Sequence, residues 1–289
     1  PGAAPALIPA VHEGGDELVA PDLLRQLPDQ PDDRPAAAAR GERARIACLV
    51  RFQVECSVDV TVLESGPTVF RAFADATLGG YFQRLLESRG VVVRPNVRVT
   101  RFRAANGRVA AVQGENIEQF PADVVVVGVG GEPNTEWLAN SGFAIDRGGI
   151  VVNVRLETQG ENIWAAGDIA RFPDPVSKQP RRLEHWDNAL WQGKQAGRNM
   201  AGAEEPYAHQ SLFFSDLFDV TINALGDTDR PDRVEILGPT DLTAPSFTAY
   251  YLRGHKLFGA VLVNLNTADR TAEFDVLQQH LREGTTPEF

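Results

Sequence analysis

The sequence predicts an α/β nucleotide-binding fold, on three observations. From Arg45 onward an apolar strand, a second strand, a helix with apolar spacing and a third strand follow one another, the alternation that builds a sheet covered by helices. A valine-rich run, DVVVVGVG from Asp123, supplies a further strand. A short apolar strand, Ile163–Ala166, then runs directly into Gly167-Asp168. That layout brings backbone close to a dinucleotide and sets one carboxylate beside its polyol. Glycine lacks the Cβ that would obstruct the approach, and a charged Asp accepts strongly from hydroxyls.

Residues 1–43 are rich in Ala, Pro, Asp and Gly and read as a linker. IACLV, ending at Val50, is the first buried strand, and VDVTVLE, Val58 to Glu64, the second. Residues 74–89 carry Leu78, Phe82, Leu85 and Leu86 on one helical face, with Gly90 at the stop. VVV from Val91, then VRVTRF and GRVAAV, are strands, the last two joined by an Asn106-Gly107 hairpin turn. A Gly-rich connection, GVGGEPNTEWL, leads to the strand GGIVVN and the Gly-Asp element. Residues 183–201 form a helix capped by Gly202. From Tyr207 the texture turns to aromatic, alternating strands: SLFFSDLFDVTINALG, RVEIL, FTAYYLR and KLFGAVLVN. Arg253-Gly254-His255 joins the last two, and a helix over 268–283 follows.

The formal charge of −11 argues against nucleic acid and anionic membrane surfaces as partners. No apolar run reaches membrane-spanning length. Cys48 and Cys56 fit neither a zinc motif nor a C-x-x-C pair, so no metal site is expected and a reducing, cytoplasmic compartment is the default.

The segments VVVVGVGGEPN, T-x4-IWAAGD and RRLEHWDNALWQGKQAGRNMAG, in that order, resemble the pyridine-nucleotide-dependent flavoprotein reductases. PYAHQSLFFSDL and the hairpins after it are similar to apoptosis-inducing-factor-type reductases and their ferredoxin- and rubredoxin-reductase relatives. The resemblance implies an α/β fold derived from two dinucleotide-binding domains, for FAD and NAD(P), followed by a carboxyl-terminal α+β reductase domain. On this sequence that gives 1–43 as residual FAD-domain segment and linker, 44–135 as the NAD(P)H-binding-like domain, 136–204 as the returning half of the FAD domain, and 205–289 as the carboxyl-terminal, dimerisation-type domain.

The implied activity carries electrons from NADH through FAD to a small iron–sulfur protein such as ferredoxin or rubredoxin, or to a quinone. The protein orients the cofactor, which carries the hydride chemistry. The resemblance assigns Gly167, Asp168, Glu184, His185, Trp186, Phe214 and Ser215 to FAD, with His185 and Trp186 at the flavin–nicotinamide face as the catalytic pair. It assigns Glu64, Gly128, Phe52 and Glu55 to NADH, Glu64 gripping the adenosine ribose. Each has a plainer reading: Asp168 as a turn residue, His185 as a structural histidine, Phe213 and Phe214 as core, Trp186 and Trp191 as core or interface anchors.

Two departures qualify the activity. No G-x-G-x-x-G occurs in the 289 residues, so the expected chain is one lacking the amino-terminal FAD unit. Only RFQVECS, Arg51 to Ser57, separates the first two strands, whereas a helical crossover needs about a dozen residues. Phe52 and Glu55 are then remnants of a nicotinamide-side loop whose glycines are missing, and weak or absent NADH binding is expected. No cysteine pair suggests a thiol relay. The competing expectation is a flavin-free, catalytically inactive interaction protein.

Overall fold

The computed structural model describes residues 59–73, 75–264 and 267–286, with backbone only over 267–272. The linker over 1–43, the strand IACLV, both cysteines, Phe52 and Glu55 lie outside the described residues. The chain divides into two compact units, one ending at Gly130 and the other beginning at Gly131.

The first unit contains a parallel crossover. Strand β1 (Thr61–Leu63) pairs in parallel with β2 (Val92–Arg94), Thr61 facing Val92 and Leu63 facing Arg94. Helix α1 (Ala76–Ser88) connects them. Asp75 caps it from an extended backbone (φ −128°), its side chain accepting the Leu78 N–H at 2.7 Å, which satisfies one of the donors a helix start leaves open. Leu78, Tyr81, Phe82, Leu85 and Leu86 recur at three- and four-residue spacing and are all buried. Gly90, at φ 85°, ends it as expected. An antiparallel meander follows: β3 (Val99–Ala105), β4 (Arg108–Gly114) and β5 (Gln119–Pro121). Asn106 and Gly107 turn between β3 and β4 with φ of 54° and 73°, the left-handed pair that matches strand twist. Val112, Phe120 and Ala122 form its core, with Leu63 packed against them.

The valine run corrects the expected strand. Only Val124 makes a bridge, and Val124, Val127 and Val129 are 39%, 50% and 50% exposed. A strand exists only by pairing, and the strand read as ending at Val50 lies outside the described residues.

The second unit opens with a four-stranded sheet in the order β6 (Ile145–Asp146), β7 (Gly149–Val151), β8 (Ala170–Pro173), β9 (Pro180–Arg181). Strands β7 and β8 are parallel, and the other pairs antiparallel. Helix α2 (Trp186–Met200) and the segment through Tyr207 close a core of Ile150, Val152, Leu156, Phe172 and Ala196. The helix begins three residues later than the sequence pattern suggests, because the backbone is still extended at His185 (φ −117°, ψ 134°). Gly202, at φ 91°, follows its end.

Ile163–Ala166 is not a strand. Its pairing is a single bridge between Trp164 and Glu157, flanked by Thr158 N–H to Ile163 O at 2.9 Å and Ala165 N–H to Leu156 O at 3.1 Å. Gly167 then turns the chain at φ 80° into a 3-10 turn over Gly167–Ile169 before a ladder can extend.

The carboxyl-terminal strands form one antiparallel sheet in the order β10 (Leu212–Leu217), β11 (Val220–Gly226), β14 (Lys256–Val263), β13 (Phe247–Arg253), β12 (Arg233–Leu237). Helix α3 (Thr267–Glu283) contributes Leu277 and Leu281 to a core shared with Leu225, Leu252, Leu257, Ala260 and Leu262. Arg181 of β9 ties the two sheets together: its guanidinium reaches Asp174 at 3.0 Å and Asp227, just past β11, at 3.5 Å. Among the described residues no helix is long and apolar enough to cross a membrane.

Candidate functional site

The Gly167-Asp168 turn, the start of α2 and the start of β10 meet in the second unit. Gly167 is buried, and its N–H donates to Gln192 Oε1 of α2 at 2.8 Å. A Cβ there would meet Ala189 of α2 only at ordinary contact, 3.4 Å. The glycine is therefore required chiefly by its φ of 80°, where side chains are strained. Asp168 follows with an exposed side chain, and its carbonyl accepts from Arg182 Nη1 at 3.0 Å. The same Arg182 nitrogen pairs with Glu184 at 2.8 Å, so one guanidinium links Asp168 and Glu184.

His185 stands at the N-cap of α2 without capping through its side chain, and its ring lies 5.5 Å from that of Phe213. Trp186, the first helical residue, meets Phe214 edge-on with centroids 6.3 Å apart. Trp186 and Phe214 are 50% and 55% exposed, so neither is a core residue. Trp191 is not core either: it stacks on His209 at 4.9 Å under Lys194. Ser215, next on β10, lines a shallow groove with Phe214, Asp216 and Thr221.

Several groups in this region escape a sequence reading. Asp187 accepts from His209 Nε2 at 2.6 Å and from the Leu212 N–H at 2.9 Å. Burial pushes its carboxyl up, but the bonds from His209 and Leu212 outweigh that and hold it below the usual range. Asn188, fully buried, accepts from Tyr207 at 3.1 Å and Ser211 at 2.9 Å. Asn199 accepts the Glu205 N–H at 2.9 Å and donates to the Arg155 carbonyl at 2.8 Å. The buried face of α2 is thus Asn188, Gln192, Ala196 and Asn199, mostly amides. The available signal was their spacing of four, four and three residues, which places polar groups on one helical stripe.

The exposed carboxylate, two open aromatic faces and a helix N-terminus suit a ligand combining a polyol, an aromatic ring and a partial negative charge. Those are the properties of the ribityl–isoalloxazine half of FAD, so the residues present fit that group.

The residues read for NADH lie in the first unit. Glu64, at the end of β1, is 1% exposed. Its Oε1 accepts from the Gly66 N–H at 2.6 Å and the Ser65 hydroxyl at 3.3 Å, with Arg71 at 3.8 Å. One carboxylate oxygen is therefore engaged inside its own loop, while the other, Oε2, is buried without a hydrogen-bond partner. Gly128 sits in the irregular valine run. Among the described residues no group of three or more His, Cys, Asp or Glu could hold a metal ion.

Comparison with known proteins places this architecture. A family model described as pyridine nucleotide-disulphide oxidoreductase matches residues 42–193, just over half of the chain. A second, apoptosis-inducing factor, mitochondrion-associated, C-term, matches 196–231. Rhodocoxin reductase of Rhodococcus erythropolis is 32% identical over 207 residues, covering 72% of this chain and 48% of its own. A putative mitochondrial apoptosis-inducing factor 1 of Drosophila melanogaster is 33% identical over 230 residues, covering 75% of this chain and 31% of its own. Among solved structures, a ferredoxin reductase from Rhodopseudomonas palustris superposes with TM-score 0.70 at 30% identity, covering 77% of this chain and 54% of the other. A covalent putidaredoxin reductase–putidaredoxin complex superposes with TM-score 0.71 at 27% identity, covering 80% and 54%. The chain spans about half, or less, of the length of these proteins. The fold expected from the ordered motifs is shown, and the chain belongs to the pyridine nucleotide-disulphide oxidoreductase family, with a carboxyl-terminal segment of the apoptosis-inducing-factor type.

Proposed function

We propose that this chain is the flavin-contacting and acceptor-facing part of an FAD-dependent NADH reductase that hands electrons to a ferredoxin- or rubredoxin-like protein, or to a quinone. The observation that carries the reading is the pair Trp186–Phe214, half exposed, at the helix start beside Gly167-Asp168. The names of the relatives, rhodocoxin reductase and the putidaredoxin complex among them, support the acceptor class. When bound, FAD supplies the hydride-accepting and electron-donating chemistry. Asp168 would hold the polyol hydroxyls, and the α2 N-terminus would favour negative charge on the group. Trp186 and Phe214 would cover the ring and exclude water, and His185, packed against Phe213, would help to orient it. Residues 136–204 and 205–289 act here as the returning FAD half and the acceptor-side domain, in a cytoplasmic protein.

Glu64 would hold the adenosine ribose through its buried, unpartnered Oε2, its Oε1 being engaged by Gly66 and Arg71. The seven residues between IACLV and VDVTVLE, too few for a helical crossover, favour a second reading, a flavin-free interaction protein descended from the same reductases. Visible absorption of the chain after incubation with excess FAD and gel filtration separates the two. A retained flavin band is expected, followed by slow or no bleaching with NADH. A colourless protein overturns the first reading in favour of the second.

A further inference from the structure

The start of α2 and the start of β10 are joined by three neighbouring pairs: His185 with Phe213, Trp186 with Phe214, and Asp187 with the Leu212 N–H. The first two are ring contacts at 5.5 Å and 6.3 Å, which fix a separation but allow sliding. The third is a hydrogen bond from backbone to carboxylate at 2.9 Å, and it is directional. It lies one residue from Trp186 on one side and two from Phe214 on the other. The same Asp187 oxygen meets His209 Nε2 at 2.6 Å. The side chain is only 14% exposed.

We infer that Asp187 is the positioning residue of this site, fastening the first turn of α2 to β10 so that the Trp186 and Phe214 rings keep one mutual geometry. The inference rests on the reading of those rings as the flavin cover, and it deepens that reading by assigning what holds the cover in place. Asp187 touches no ligand in this role; it acts through the backbone of Leu212 and through His209. His209 is in turn steadied by the Trp191 ring, so the anchor spans the second turn of α2 as well. An acidic residue in a first helical turn is also favoured there by the helix dipole, which explains why a carboxylate serves where an amide could accept the same N–H.

Two variants and two readouts test this on the full chain. Asp187→Ala removes the acceptor for Leu212 and His209 together, whereas Asp187→Asn keeps an acceptor for the Leu212 N–H and removes the charge. The first readout is the Trp186 indole N–H resonance in proton–nitrogen correlation spectra, identified by its loss in Trp186→Phe, with Trp137 as a fold control. The second is FAD retention, measured by equilibrium dialysis. In Asp187→Ala the Trp186 resonance should shift or broaden while Trp137 stays fixed. Retention should weaken about tenfold, the worth of one charge-assisted hydrogen bond. Asp187→Asn should restore most of the Trp186 resonance position and part of the retention.

An unmoved Trp186 resonance in folded Asp187→Ala overturns the inference. If the alanine variant does not fold, Asp187→Leu, of similar shape but without an acceptor for the Leu212 N–H, decides: a shifted Trp186 resonance with Trp137 fixed supports the anchor, and an unmoved one refutes it. If the unaltered chain retains no FAD, the functional reading fails, and the indole resonance still decides whether Asp187 sets the rings.

Discussion

Gly167 shows how a single residue can be read correctly in place and differently in cause. The sequence marks it because glycine before aspartate permits close approach of a ligand. In the structure its φ of 80° and its N–H bond to Gln192 account for it without one. Gly167→Ala should therefore lower stability by about 1–2 kcal/mol, the cost of an L-residue in that region, even in FAD-free protein. Urea unfolding without cofactor checks this, and an unchanged midpoint would return the glycine to ligand approach alone. Trp186 and Phe214 were legible because they sit in an ordered motif. Asp187, Asn188, Gln192 and His209 were not, because their role depends on partners 19 to 25 positions away, and spacing within one helix does not reveal what faces it.

At the scale of elements, periodic and capped segments were the legible ones. Helix α1 has an Asp cap, a one-face apolar stripe and a terminal glycine, and all three act locally. The hairpin at Asn106-Gly107 is equally local. The apolar runs 123–130 and 163–166 misled, because apolar residues state a wish for burial and not a pairing partner. In the sheet β6–β9 each pairing is two residues long, too short for alternation to register. Its stability comes instead from a few large side chains such as Phe172, 1% exposed and edge-on to Tyr207 at 5.6 Å. Phe172→Ala should cost about 3–5 kcal/mol by leaving a cavity between β8 and the Tyr207 segment. Chemical denaturation followed by circular dichroism tests it; a loss below 1 kcal/mol would mean that the neighbours collapse into the space.

At the scale of the whole molecule, the acidic balance that disfavours nucleic acid was plain from composition, whereas the ties between sheets were not. Tyr207 and Tyr250 are both held neutral. Burial is the larger cause in each, aided for Tyr207 by the Asp187 charge and for Tyr250 by Glu273, and Tyr250 is pushed up to about 12. The unfolded chain releases these protons near pH 10 while the folded chain keeps them, so the unfolded state binds fewer protons and stability falls as pH rises from about 10 to about 12. Unfolding midpoints at pH 8 and pH 11 measure the decline, and Tyr250→Phe should flatten it. The amide-lined face of α2 carries a thermal consequence. Heat capacity of unfolding scales with apolar surface released, and polar surface lowers it. A helix docked through Asn188, Gln192 and Asn199 therefore adds little curvature to the stability profile, and its attachment should loosen less on cooling than the leucine-lined packing of α3.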